Sequence, residues 1–378
     1  MPGPDYSDQD LTAYEFFAGG GLAGLGLEGF RVTFANDIDH AKAASWQSNH
    51  SGAFRLGDVG HLKPDDLPGQ PDLVWASSPC QDVSLAGARG GLNGQRSGSF
   101  WGFWKLMQAL DRGDRGPRAI VVENVVGLLT SGHGQDFAAI CSALVVAGYR
   151  VGALEMDAAL WLPQSRPRLF IVAMRGVDGP RGCGPAAPFH TRRLIAAHDR
   201  LPERVRNHWA WWQVGRPPHR NHGVATMLEP DDTVNWFREV DVDHLLAMLA
   251  PLHRDRLEDA RLACDRRVAT GFRRVRTEGG SKVQRLELRF DGLAGCLRTP
   301  SGGSSRQYVL VCDAGQVRAR RFTGREAARL MGLPDTYVLP KGETAALKLM
   351  GDAVAVPVVR ALSRSLLYPA LTRKGMAA

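Results

Sequence analysis

The chain has 378 residues, 44% hydrophobic and 23% charged, which suits a globular protein of two domains or of one large domain with an insertion. Its net charge is +8, and the segment from Arg261 to Arg321 carries fourteen Lys/Arg against five Asp/Glu, so the excess sits in one late stretch, as a polyanion-binding surface or a solvated arginine-rich face would have it. No apolar run approaches the roughly 20 residues that span a bilayer, and MPGPDYSDQD lacks the basic and apolar regions of a secretory signal, so neither a membrane protein nor an exported one is expected.

In chain order, LTAYEFFAG reads as a strand running into a glycine turn, followed by an amphipathic segment to about Glu28. RVTFANDID is a second strand and AKAASWQSNH a helix. The apolar run Asp72–Ala76 is a short buried strand that ends just ahead of Cys80. Beyond a polar, glycine-rich loop, SFWGFWKLMQAL places Phe100, Phe103, Trp104, Met107 and Leu110 on one helical face. AIVVENV is a continuous apolar strand ending near Glu123, and DFAAICSALVVAGY is a helix stopped by Gly148. VGALEMD and LFIVAMR are further strands. Strands alternating with helices predict an α/β fold: a doubly wound, mostly parallel, Rossmann-like sheet.

GVDGPRGCGPAAP, rich in glycine and proline, reads as a boundary, and regular alternation is lost from there to about Arg320. Trp209, Trp211 and Trp212 are expected to form the core of this segment. In FTGREAARLMGLPD, Thr323 and Glu326 have capping-box spacing, and Gly332 with Pro334 closes the helix. AVPVVRALSRSLL carries Val358, Val359, Leu362 and Leu366 on one face and should return to pack on the first domain. The expected division is 1–185 for the α/β domain, 186–340 for a smaller irregular domain, and 341–378 for a segment that completes the first.

Four motifs carry chemistry. The glycines of FFAGGGLAGLGLEGF allow a close approach of backbone to a ligand, although the spacing is not GxGxxG and packing alone explains many such turns. At the end of the next strand Asp37 suits a ribose diol, and Asp58 in LGDVG suits an adenine amino group. Either acid could instead be a solvated loop residue or a helix cap, and Asp39 is read as a cap. SSPCQ puts Cys80 past a strand end, where open α/β sheets bind ligands, although the ordinary role of a free cysteine is that of a small buried hydrophobe. Glu123 in VVENV ends a buried strand, where a carboxylate needs a partner, a proton or a helix to cap. In PQSRPRLFIV, Arg166 and Arg168 stand two apart at the entry to a strand, so period-two geometry turns both to one side, toward an anion or a thiolate, unless they are surface charges. Six scattered cysteines without a CxxC pair and eleven histidines without HExxH point to a reducing cytoplasm and to no metal.

In this order and spacing the pieces resemble the cytosine-C5 DNA methyltransferase family of bacterial and phage type. The resemblance runs from Tyr14 to about Arg175 and from Arg321 to Leu366, with PCQ, ENV and QxRxR in succession as its most specific part. It implies a site-specific DNA (cytosine-5-)-methyltransferase that moves a methyl group from S-adenosyl-L-methionine to C5 of a flipped-out cytosine, leaving S-adenosyl-L-homocysteine. In such enzymes the prolylcysteine thiol, here Cys80, attacks C6 and makes C5 nucleophilic. Glu123 then matches the residue that contacts N3 and the exocyclic amine, and Arg166 with Arg168 the pair that favours the thiolate and the base O2.

By the same resemblance Phe17, Ala18, Gly19, Gly20, Gly21 and Leu22 line the cofactor, Asp37 takes its ribose, Ile38 its adenine face, and Asp58 with Val59 the adenine edge. Pro79, Ser99, Asp352, Ala353 and Val354 complete that pocket. Ile38 stands where the family often has a large aromatic, Asp352 where many members carry asparagine, and Cys296 in the threonine place of a Thr-Leu segment. The segment 186–340 then corresponds to a target-recognition domain, with Arg273, Arg274 and Arg276 as phosphate contacts and Arg298, Ser304, Ser305 and Arg306 near the DNA, joined by Gln81, Ser84 and Arg89 from the Cys80 loop. The expected partner is double-stranded DNA, the expected state a cytoplasmic, nucleoid-associated monomer, and a cognate restriction endonuclease a further partner. RNA cytosine methylation, a DNA-binding protein with a decayed site, and a nicotinamide-dependent oxidoreductase are the alternatives; the last leaves PCQ, ENV and QSRPR unexplained.

Overall fold

The computed structural model describes residues 11–79, 98–300 and 306–372. The chain forms two compact units: Met1–Asp157, Pro167–Pro217 and Val356–Ala378 make the first, and Ala158–Arg166 with Pro218–Ala355 the second.

The first unit is built on a seven-stranded sheet of β1 (Leu11–Phe16), β2 (Phe30–Asp37), β3 (Ala53–Leu56), β4 (Leu73–Ala76), β5 (Ala119–Val125), β6 (Arg150–Asp157) and β7 (Pro167–Met174). Their order is β3-β2-β1-β4-β5-β7-β6. The pairs among β1 to β5 are parallel, and β7 runs antiparallel to both β5 and β6. All four residues of β4 and the first six of β5 are buried, which is why these strands read as unbroken apolar runs. Around the sheet lie α1 (Leu22–Gly26), α2 (His40–Asn49), α3 (Ser99–Arg112) and α4 (Gln135–Val146). The predicted stripe of α3 is buried, and it joins Tyr14, Val74, Val122 and Ile140 in the main core. Edge strand β3 was not anticipated, because AFRL is mostly exposed and shows no apolar alternation.

The expected boundary at 185 moves to 217. The glycine-proline run is a turn inside the first unit, and β8 (Arg181–Gly182), α5 (Arg192–Asp199), α6 (Glu203–Asn207) and β9 (Trp211–Trp212) follow it there. They close on the β6 edge: Val151 N donates to His208 O at 3.0 Å, Ala210 N to Val151 O at 2.8 Å, and the Trp212 indole to Val172 O at 3.0 Å. Gly152 makes the approach feasible, since a Cβ there would lie 2.0 Å from Ala210 O. Trp209 and Trp212 are therefore core, as expected of their segment, but core of the first unit.

The second unit is more regular than the sequence suggests. After α7 (Glu239–Leu246) and α8 (Pro251–Leu262) comes an antiparallel sheet of β10 (Arg267–Glu278), β11 (Ser281–Arg289), β12 (Tyr308–Asp313) and β13 (Gln316–Arg321), in the order β11-β10-β12-β13. Leu245, Leu257, Leu286 and Leu310 fill its core. The outer half of the β10–β11 hairpin is mostly exposed, so arginines stand where apolar residues would have marked a strand. The capping box at α9 (Gly324–Leu330) forms in both directions between Thr323 and Glu326. Glu326 also meets Arg320 at 2.6 Å, both side chains being fully buried. Helix α10 (Glu343–Asp352) ends this unit, so the return to the first begins at Val356, not at 341.

That return is made by α11 (Val356–Leu362), extended to Leu367 and on into α12 (Tyr368–Thr372). It packs on α1, where a Cβ on Gly26 would fall 2.5 Å from Val359 Cβ. Ser363 Oγ donates to Glu28 O at 2.8 Å, and Arg360 pairs with the Glu28 carboxylate at 2.7 Å. Among the described residues no helix is long and apolar enough to cross a membrane.

Candidate active site

The carboxyl ends of β1, β2, β4 and β5 lie side by side and carry most of the residues singled out in the first unit. At the end of β1 the chain turns through Phe17 at φ +55°, Gly19 at +56° and Gly21 at +80°. An aromatic residue rarely holds such a backbone angle, so this turn is strained and must be held from outside. The holding contacts are visible. Ala18 N donates to Asn36 O at 3.0 Å, Gly19 N to Asp37 Oδ2 at 2.8 Å, and the His50 ring meets Gly20 O at 3.0 Å. Gly21 has no room for a side chain, because a Cβ would lie 2.2 Å from His50 Nε2, whereas a Cβ at Gly19 would meet open space. Burial pushes the His50 ring below its usual pKa, against the pull of the Gly20 carbonyl.

Beneath the turn Glu15 is 1% exposed. Burial raises its carboxyl to about 8, against the amides of Gly24 and Ala23 and the Trp46 indole, which pull it down. Asp37 ends β2 and accepts from Gly19 N through one oxygen and from Asp39 N through the other, at 2.9 Å. Asp39 caps α2 as expected, accepting from Ala41 N and Lys42 N. Ile38 between them is 67% exposed. Asp58 accepts from Gly60 N at 2.8 Å and caps the turn Val59–His61, in which Val59 is buried. Ser99 opens α3 and Pro79 is exposed.

At the next two strand ends Glu123 is buried and pairs with Arg168 on β7, Nε to Oε1 at 3.2 Å. Pairing is what makes a carboxylate at this depth tolerable. Beside it Asn124 donates to Ser78 O at 3.0 Å and to Ser78 Oγ at 3.3 Å, which fixes the chain two residues ahead of Cys80. Cys80, Gln81, Ser84, Arg89, Ser304 and Ser305 lie outside the described residues. Asn124, Glu15 and His50 were not singled out by sequence. Asn124 stood inside the quoted ENV, Glu15 was hidden in an apolar strand, and nothing in QSNHSG marked His50.

Arg166 does not share the face of a strand with Arg168. It precedes β7 and belongs to the second unit, so period-two geometry does not reach it. Its buried guanidinium donates to Leu297 O and Gly351 O at 2.9 Å each and to Ala353 O at 2.5 Å. In the same unit Gln164, fully buried, donates to Leu330 O at 2.6 Å and accepts from Leu297 N at 3.2 Å. Asp352 accepts from Thr299 Oγ1 at 2.6 Å, and Val354 is buried.

The arginine-rich stretch is largely paired with acids. Arg274 meets Glu287 at 3.2 Å, Arg276 donates to the same carboxylate at 2.5 Å, and Arg318 and Arg266 share Asp231, whose carboxyl they hold far below the usual range. Arg273 lies over the Tyr308 ring at 5.7 Å. Arg306 donates to Thr344 Oγ1 at 2.6 Å, and Arg298 is exposed. Among the described residues no group of His, Cys, Asp and Glu could hold a metal ion.

Comparison with known proteins agrees with this layout. The family described as C-5 cytosine-specific DNA methylase matches residues 11–199 and 268–367. The chain is 27% identical over 365 residues to "Type II methyltransferase M.NgoBI" of Neisseria gonorrhoeae, covering 95% of each. It is 26% identical over 370 residues to "Type II methyltransferase M.HaeII" of Haemophilus aegyptius, covering 95% of this chain and 93% of that one. In fold it is similar to the S. pombe Dnmt2 methyltransferase, with TM-score 0.62 at 18% identity over 96% of this chain and 99% of that one. It is likewise similar to the Entamoeba histolytica methyltransferase EhMeth, with TM-score 0.59 at 14% identity over 97% and 100%.

Proposed function

The chain belongs to the C-5 cytosine-specific DNA methylase family and is a DNA cytosine-5-methyltransferase; from that premise we propose that it is site-specific, takes its methyl group from S-adenosylmethionine, and works through a covalent bond between Cys80 Sγ and cytosine C6. The observation that carries the reading is the meeting of three features at one sheet edge: the strained glycine turn, the buried Glu123–Arg168 pair, and the Asn124 clamp on the segment that enters Cys80.

The turn fits the proposed donor. Gly19 opens onto free space beside main-chain amides, and the Asp37 carboxylate, with one backbone N–H on each oxygen, keeps acceptor capacity for two ribose hydroxyls. Exposed Ile38 offers an aliphatic surface to adenine, and Asp58 Oδ2 an acceptor for its amino group. When bound, S-adenosylmethionine supplies an electrophilic methyl group.

The residues prepare its acceptor. C5 of cytosine is a poor nucleophile until a thiolate adds to C6, which breaks the C5–C6 double bond and leaves the electron pair on C5 and N3. Cys80 makes that bond, Glu123 contacts N3 and the amino group as charge develops there, and Arg168 neutralises and orients Glu123. After methylation the C5 proton leaves to a base, and its electrons expel Cys80 Sγ and restore the ring. Cytosine must leave the duplex stack for this chemistry, at a cost of a few kcal/mol. The names of the Neisseria and Haemophilus relatives support a place in a restriction-modification system, with double-stranded DNA as substrate and a cognate endonuclease beside it. We place the enzyme in the cytoplasm, on the nucleoid, as a monomer.

Bisulfite sequencing of unmethylated genomic DNA after incubation with the protein and S-adenosylmethionine tests this. Protection in one short sequence context is expected, and Cys80→Ala should abolish it while leaving cofactor binding in place. Turnover by the alanine variant would end the covalent reading.

A further inference from the structure

A cavity of about 630 Å³ opens in the first unit away from the glycine turn. Arg150 opens β6 and stands on its wall. Because β7 is antiparallel to both β5 and β6, β6 runs parallel to β5, and Arg150 lies at the end of the sheet opposite Glu123. In register Arg150 is level with Ala119 and Glu123 with Leu154, so four residues, roughly 13 Å, separate the two along the strands.

Its wall is cationic and aromatic. Arg150, Arg181 and Arg206 face it against the single carboxylate of Glu203. Arg181 is paired with Asp178, but among the described residues Arg150 and Arg206 make no ion pair. Two guanidiniums without a counter-charge beside one concave surface are the arrangement that takes a phosphate or a carboxylate. Trp211 adds a ring to the same wall, braced by His198 at 4.7 Å and Trp209 at 5.7 Å between centroids. A braced indole face is a stacking platform for a planar base. The volume lies within the roughly 300–1,000 Å³ of small-ligand sites.

We propose that this cavity binds a free nucleoside monophosphate, with the phosphate on Arg150 and Arg206 and the base on Trp211.

Cys183 is exposed on the cavity wall, and Cys264, exposed in the second unit, serves as an internal control. Alkylation of the whole protein, saturated with S-adenosylhomocysteine to block adenine binding at the glycine turn, is followed at each cysteine by peptide mass spectrometry. Adenosine or cytidine monophosphate should slow labelling of Cys183 by about tenfold and leave Cys264 unchanged. Arg206→Ala, a change at an exposed position, should remove that protection without altering methyl transfer. No protection by either nucleotide, equal protection by inorganic phosphate alone, or equal protection by a short single-stranded oligonucleotide would each overturn the proposal. The readout is independent of methylation, so failure here and failure of the methyltransferase reading are separable.

Discussion

Asn124 holds Ser78 at two points, main-chain carbonyl and hydroxyl, and so ties the strand that carries Glu123 to the segment that delivers Cys80. One side chain therefore anchors Ser78, two residues ahead of the proposed nucleophile, beside the group proposed to contact N3. Replacing it should cost rate more than binding, since displacing a reacting group by about 1 Å can cost about a hundredfold. Asn124→Ala should lower kcat by about that factor while the KM for S-adenosylmethionine stays within a few-fold. An equal loss in both would reduce Asn124 to a fold contact.

Arg168 and Glu123 form a buried pair, and removing one partner strands the other. Arg168→Ala should cost about 3–5 kcal/mol in urea unfolding, because it leaves an uncompensated buried charge. The double change Arg168→Met with Glu123→Gln should recover much of that stability while methyl transfer remains lost. Full activity in the double variant would remove both residues from the chemistry.

Much of the catalytic half was legible because its signals are local. Strands buried on both faces read as apolar runs and the α3 stripe has helical period, and in the second unit the four residues Thr323–Glu326 form a local capping box. What failed was tertiary. The Gly-Pro run at 176–185 looks like a linker, yet Trp209 and Trp212 reach back to β6 and β7, and no local pattern announces that. The hairpin β10–β11 was hidden by its arginines, whose charge is answered by acids on the same exposed face. Arg166 and Arg168 look equivalent in sequence, but the strand begins between them.

Glu15 gives a signature in pH. Its carboxyl is raised to about 8 by burial, while in the unfolded chain it titrates in the ordinary range near 4.5. Between those values the folded protein holds a proton that the unfolded chain has released, so its contribution to stability is fully present below the lower value and is lost as pH rises toward 8. The total is a few kcal/mol, by order of magnitude. Glu15→Gln should flatten the fall in unfolding free energy between pH 5 and 8. An unchanged slope would mean that Glu15 is ionised and stabilised in the native state.

Gly21 and Gly19 make a matched pair for the turn proposed to hold the cofactor. Both have positive φ, but only at Gly21 would an added Cβ run into His50. Gly21→Ala should weaken S-adenosylmethionine binding more than Gly19→Ala in calorimetry, and trimming the ring with His50→Ala should restore part of the loss. If the two glycine variants bind alike, the His50 contact is not what shapes the turn.

Glu287 restrains two of the three arginines proposed to meet phosphates. Exposed ion pairs of this sort contribute only about 0–1 kcal/mol, so a DNA backbone can compete for the guanidiniums. Glu287→Gln frees Arg274 and Arg276 at little cost to the fold. Each phosphate contact adds about 0.9 to the slope of log K against log salt, so the variant should bind duplex DNA more tightly at low salt and steepen that slope by up to about two contacts' worth. Arg274→Ala with Arg276→Ala should shift both quantities the other way and do so equally across sequences. A salt slope unmoved by all three changes would take this hairpin off the DNA, and the phosphate contacts would then have to be sought at Arg298 and Arg306.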